Sequence, residues 1–297
     1  MSKRFKDKNS GIITQMDFNK KSVCAGYWTM FAVLVLVVII NLFPILWIIL
    51  SSFKSTEEFF ALPPTLIPKK MLFSKLIDVW KEIDVLRMYA NSLIMASGDL
   101  LFSLVSNGLC GYVISRLKPK GSKLLFAVIL WTMMMPSSLN MVPLFKTFLD
   151  FPVLHLNFTD TYFPMWIMSA ANCYYILLFK NFFDSIPGSF VEAAKIDGCS
   201  NFKIFLRIII PMSVPIVMVV SIFTVTHSFD NFLWPYLVLK DSSLYTTSVK
   251  LYYLKTLISV DKQVVATLFA IIPSAIVFFI FQKKIIMSLK TIIRCTI

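Results

Sequence analysis

Residues 27–50 run for 24 positions without a charged side chain. Coiled as an α-helix at about 1.5 Å per residue, that stretch is roughly 36 Å long, enough to cross a bilayer core of about 30 Å with some tilt. Lipid offers no partner for a bare peptide group, so a crossing segment of this length satisfies its backbone internally, as a helix. Further apolar blocks follow at 89–114, 124–145, 161–179, 208–239 and 264–281. The chain is therefore predicted to be an all-α, multi-pass membrane protein with six transmembrane helices. Composition points the same way: 57% of the 297 residues are hydrophobic and only 15% charged, against about 25% charged in soluble domains. The polar N-terminus and the length of the first apolar run argue for a retained span, not a cleaved signal peptide.

The blocks divide the chain into an N-terminal tail (1–26), a first span (27–50), a polar loop (51–88) with Pro63, Pro64 and Pro68, a five-helix region (89–282) and a C-terminal tail (283–297). Six crossings put both tails on one side. That side carries 18 Lys and Arg against 5 acids, while the other carries 11 against 9. Lys and Arg are retained in the cytoplasm, so both termini are expected there and the loop 51–88 outside. The net charge of +13 needs no nucleic acid to explain it. Lys3, Arg4, Lys6, Lys8, Lys20 and Lys21 belong to the retained tail and have no aromatic platform for bases.

Soluble-enzyme chemistry finds little support. Cys24, Cys110, Cys173, Cys199 and Cys295 are odd in number and scattered without a CxxC pair, which argues against zinc and against a disulfide framework. His155 and His227 share no motif, and no metal site or catalytic arrangement is expected. Pro136, Pro143, Pro211 and Pro215 fall inside apolar blocks and fit broken or kinked helices. Asp99 lies at membrane depth near Ser103, Ser106 and Gly108, where it is expected to hydrogen-bond within the bundle.

One stretch is out of keeping with its surroundings: VEAAKIDGCSNFKIFLRIIIPMSVP, 191–215. Ser189 and Glu192 have the spacing of a capping box, and Ala193 and Ala194 are strong helix formers with little bulk. Gly198 is placed to turn left-handed and stop the helix, and Ser200 or Asn201 to cap a second one through Phe202, Phe205 and Ile209 towards Pro211. A short helix with a small-residue face suits docking into a groove of another protein. The same spacing also fits an ordinary loop held by its own caps.

The segment resembles the EAA loop of ABC-importer permeases. Glu192, Ala193, Ala194, Gly198, Ile208 and Pro211 all fall in register, with Ile210 in place of the usual Leu. Further stretches are similar to the MalG-type permeases of carbohydrate importers: SSFKSTEEFFALPPTLIP (51–68), NSLIMAS (91–97), TMMMP (132–136), VPLF (142–145) and SFDNFLWP (228–235). In the last of these Asp230 and Asn231 stand in swapped order relative to the commoner pattern. The resemblance implies a type I ABC importer permease fold, with the EAA segment (about 184–211) coupling to ATPase subunits. It also implies a second related permease, two ATP-binding subunits, an extracellular sugar-binding protein and a sugar substrate, in the cell membrane. The chain has no GxxxxGK[ST], so no cofactor is expected in it and ATP would be hydrolysed by the partners. His227, Asp230 and Asn231, beside Ser228, Phe229, Phe232 and Trp234, offer polar groups that a polyhydroxylated sugar could meet; a solvated helix end with an interfacial Trp is the alternative. The rival readings are a secondary transporter and an ABC permease for another substrate.

Overall fold

A computed structural model describes residues 21–152 and 155–296, so most of the tail 1–26 lies outside the described residues. Among them there is no strand, only an isolated antiparallel bridge between Phe151 and Leu156. The chain forms two compact units, up to Leu76 and from Ile77 onward.

The first unit is built on α1 (Lys21–Ser52). Side chains 25–46 of this helix are all exposed within the subunit, which a helix apolar all round tolerates only against lipid or another apolar surface. The polar stretch after it is tied down locally. Ser55 caps α2 (Thr56–Phe59) through the Glu58 amide, and Glu58 Oε1 accepts from Thr65 Oγ1 at 3.0 Å and from the Lys69 amide at 2.9 Å. Lys54 is only 2% exposed. Its ammonium donates to the Thr65 carbonyl and lies 4.4 Å from the centroid of the Trp47 ring, a combination that offsets removing the charge from water.

The boundary between units falls within α3 (Phe73–Glu82). The second unit is organised on α4 (Val85–Tyr112), which a π turn (Val113–Leu117) prolongs. Then come α5 (Ser122–Met134), a 3-10 turn (Ser137–Asn140), α6 (Met141–Leu149), α7 (Phe163–Ala170) and α8 (Cys173–Ser185). Beyond these lie α9 (Gly188–Ile196), α10 (Asn201–Ile204), a second π turn (Phe205–Ile209), α11 (Ile210–Met212) and α12 (Val214–Asp230). The chain closes with α13 (Leu233–Val238), α14 (Thr247–Leu257) and α15 (Val260–Thr296).

α4 packs along α7, α8 and α12, and α12 along α15. Glycine lets α4 approach so closely: a Cβ on Gly111 would stand 2.7 Å from Phe179 Cβ and 3.0 Å from the Lys180 amide nitrogen of α8. Membrane helices associate by such close contact, because lipid supplies no hydrophobic drive between them. Buried polar groups then cross-link the same helices. Asn107 donates to Ser103 Oγ at 3.1 Å and to the Ser169 carbonyl at 2.9 Å, and its Oδ1 accepts from the Asn172 amide at 3.1 Å.

The apolar blocks do not all run as straight spans, as the prolines inside them implied. Three described helices are long and apolar enough to cross, at Val23–Ser52, Val85–Leu117 and Val260–Val277; counting each bent pair as one span gives five. The third block turns by 95° between Met134 and Ser138, at Pro136. The fifth turns by 79° at Ser213, between Pro211 and Pro215, and α12 ends at Asp230 instead of running to 239. The fourth, expected over 161–179, is split at Ala171 and Asn172 into α7 and α8, of 8 and 13 residues, and α8 runs on to Ser185. Proline removes a backbone donor at the bends, while Asn172 restarts α8 by accepting from the Tyr175 amide at 3.2 Å. α15 continues through Thr296, so the tail 283–296 is helical.

Candidate coupling segment and substrate-path residues

α8 leads into α9 through Ile186 and Pro187 alone. The start of α9 differs from the expected capping box. The helix begins at Gly188, with Pro187 at the cap position and no side-chain cap bond, so Ser189 already sits within the first turn. Pro187 has the extended ψ of 133° that a helix entry uses, without contributing a side-chain cap.

The exit is the one read from the sequence. Gly198 has φ +74. Its amide donates to the Lys195 carbonyl at 3.0 Å and the Cys199 amide to the Ala194 carbonyl at 3.0 Å, the paired bonds that close a helix through a left-handed residue. Two residues later the Ser200 hydroxyl accepts from the Lys203 amide at 3.3 Å and opens α10. Ile208 lies in the π turn and Pro211 in the short α11 before the 79° bend.

The two alanines part company. Ala193 and Glu192 are exposed, but Ala194 is 6% exposed and belongs to the subunit's own core with Tyr175, Phe183, Ile204 and Phe205. The expectation that both alanines face outward is thus corrected: Ala194 seats α9 on the bundle. The outer surface holds Phe190, Glu192, Ala193, Lys195 and Ile196, the last 87% exposed.

A clasp invisible in the sequence positions α9. The Arg116 guanidinium donates to the carbonyls of both Phe183 and Ile186, satisfying the last turn of α8. Beside it, Ser115 Oγ donates to Asp184 Oδ1 at 2.6 Å and Lys180 Nζ lies 2.8 Å from Asp184 Oδ2. Burial pushes the Asp184 carboxyl up, but the bonds from Lys180 and Ser115 outweigh it and hold the group below the usual carboxylate range. A depressed folded value means that this contribution is present above the ordinary pKa and is lost only as pH falls through the lowered one.

The second set of residues lies at the far end of α12. His227 and Asp230 are exposed and Asn231 is half-buried, its amide donating to the His227 carbonyl at 2.9 Å. Ser228 does not join them. It is 1% exposed, and its hydroxyl donates to Asp99 Oδ2 at 2.6 Å, while Ser169 of α7 donates to Asp99 Oδ1 at 2.8 Å. Asp99 therefore fastens α4 to α7 and α12 inside the bundle. Among the described residues no group of three or more His, Cys, Asp or Glu could hold a metal ion.

Comparison with known proteins gives concordant results. The family described as "binding-protein-dependent transport system inner membrane component" matches residues 107–290. The arabinooligosaccharides transport system permease protein AraQ of Bacillus subtilis is 29% identical over 84% of this chain and 89% of its own. The diacetylchitobiose uptake system permease protein NgcG of Streptomyces coelicolor is 28% identical over 86% and 84%. Among solved structures, a bacterial ABC transporter involved in import of the acidic polysaccharide alginate superposes with a TM-score of 0.76 at 23% identity. That match covers 92% of this chain and 99% of the other, a likeness of fold.

Proposed function

Since the chain belongs to the family of binding-protein-dependent transport system inner membrane components, we propose that it is one permease subunit of an ATP-driven oligosaccharide importer, with α9 as the element that receives the ATPase stroke. The observation that carries this reading is α9 itself. Glu192, Ala193 and Gly198 stand in the family's register on a short helix, closed by a left-handed glycine and seated on the bundle by Ala194. Relatives named for arabinooligosaccharides and diacetylchitobiose support a saccharide as cargo.

In this reading the excess of Lys and Arg holds both termini and α9 in the cytoplasm. A second permease completes the path, an external binding protein delivers the sugar, and two ATPase subunits dock below. His227, Asp230 and Asn231 stand at the outer end of α12, where a delivered sugar would enter, and their carboxylate, amide and imidazole suit its hydroxyls.

The test is reconstitution with the partner permease, ATPase and binding protein in proteoliposomes. Uptake of labelled oligosaccharide should need ATP and all partners, and Asp230→Ala should reduce it at limiting sugar with the complex intact. ATP-independent uptake by this chain alone would overturn the proposal in favour of a secondary transporter.

Gly198 provides a separate check on coupling. A Cβ there has open space, so the effect of a substitution comes from backbone strain alone. A β-branched residue in the left-handed region costs at least about 1–2 kcal/mol and redirects α10. Gly198→Val should lower sugar-stimulated ATP hydrolysis several-fold at unchanged membrane levels. Gly198→Asn, which tolerates that conformation, should recover most of it; equal activity in both variants would refute a coupling role for the turn.

A further inference from the structure

At the end of the bundle where α4 and α8 finish and α5 begins, a cavity of about 470 Å³ has no part in the coupling segment or the sugar path. Three lysines line it, Lys118, Lys123 and Lys180, and no carboxylate does. Lys180 pairs with Asp184 at 2.8 Å and Lys118 also feels that carboxylate, so three lysines stand against one nearby acid and the space keeps a positive balance. Its wall is apolar as well: Ile114 and Phe126 face it, and Lys180 Nζ lies 4.7 Å from the centroid of the Phe126 ring. Ser122, the first residue of the 13-residue α5, opens on the cavity, and the N-cap position Gly121 offers no side-chain cap.

Each of these features favours an anion, and a compact polyoxygen one. Lysines act as mobile point charges for phosphate, and a helix N-terminus adds backbone donors and a favourable dipole. The rim says how that anion is carried. Leu124 of α5 is 68% exposed, and Leu117, Leu125 and Val128 are exposed beside it, leaving apolar surface where the basic cavity ends. A free ion has no use for such a rim, whereas an amphiphile covers both parts. Basic pockets between membrane helices near a leaflet surface take anionic head groups on the same grounds.

We propose that this cavity binds the phosphate of an anionic phospholipid, with Lys118 and Lys123 as its principal counter-charges and Lys180 shared with Asp184. The acyl chains lie along the exposed leucines of α5. The proposal rests on the membrane placement of the family but not on the identity of the cargo, and its test reads binding alone.

The purified transporter complex in neutral detergent is titrated with short-chain phosphatidylglycerol or phosphatidylcholine, and bound lipid is counted by native mass spectrometry. Phosphatidylglycerol should bind saturably and phosphatidylcholine should not. Each lysine charge is worth about fivefold, so Lys118→Gln with Lys123→Gln should weaken binding by about thirtyfold. Lys120→Gln, in the same loop but outside the lining, should change it little. Equal losses for Lys120→Gln and for the double variant would mean general attraction to a basic loop and would overturn the site. Displacement of the lipid by inorganic phosphate at the same concentration would overturn the lipid assignment.

Discussion

Gly111→Ala should destabilise the subunit markedly, while Gly108→Ala, three residues earlier on the same helix, should not. The added Cβ at Gly111 would meet Phe179 Cβ at 2.7 Å, the Lys180 amide nitrogen at 3.0 Å and the Ile176 carbonyl at 3.3 Å. Two of those neighbours are backbone, so relief requires α4 and α8 to separate. Overpacking of that kind costs about 1–3 kcal/mol. At Gly108 the same atom would find Phe179 Cζ at 3.9 Å, an ordinary contact, and Ala gains up to about 1 kcal/mol of helix propensity. Gly98→Ala should match Gly111→Ala or exceed it, since its Cβ would fall 2.1 Å from Trp166 Nε1. That indole donates to the Met95 carbonyl at 3.1 Å and stacks on Phe102, so it has no easy alternative position. The measurement is thermal aggregation of the tagged complex in detergent, where shifts on the order of 5 °C are expected for Gly98 and Gly111. A Gly111→Ala protein as stable as Gly108→Ala would show that α4 and α8 do not pack this closely.

Asp99→Leu should be the most damaging single change inside the bundle, and Asp99→Asn a mild one. Leucine leaves the hydroxyls of Ser169 and Ser228 without the acceptor they share. Each lost hydrogen bond is worth about 0.5–1.5 kcal/mol, and two are lost at once, although each serine recovers part of that by bonding to its own helix. Asparagine keeps one carbonyl oxygen to accept from one serine and an amide to donate to the other, so both links survive. Heat stability of the complex and sugar uptake should fall together in Asp99→Leu and be nearly normal in Asp99→Asn. If Asp99→Asn abolished uptake in a stable complex, the carboxylate would belong to the transport path and not to the fastening of α4.

Much of this was legible before any coordinates. The left-handed Gly198, a cap at Ser200 or Asn201 and hydrogen bonding of Asp99 within the bundle were read from local chemistry, and the structure has a left-handed Gly198, the cap at Ser200 and Asp99 bonded to two serines. The losses share a physical cause. Hydropathy averages over a window and carries no direction, so it merged α7 with α8 and carried the fifth block past the end of α12 at Asp230; only the flanking prolines marked the turn at Ser213. Ala193 and Ala194 look alike in composition, and only the tertiary core decides that Ala194 turns inward. Ser169 lies 70 residues from Asp99, and no local pattern connects them. Gly98 and Gly111 carry no signal beyond being glycine, since what makes them necessary is the partner across the groove.

The Arg116 clasp has a mechanical consequence. Arg116 grips the carbonyl of Ile186, one of only two residues between α8 and α9, and the other is a proline. The joint consequently has almost no play. A displacement imposed on α9 cannot be absorbed by slack in its connection, and the first elements to feel it are α8 and, through the guanidinium, the root of α4. The chain next changes direction at Ser213, where it turns by 79°. With α9 as the coupling element proposed above, a load would enter the subunit where its connection to the bundle has the least slack.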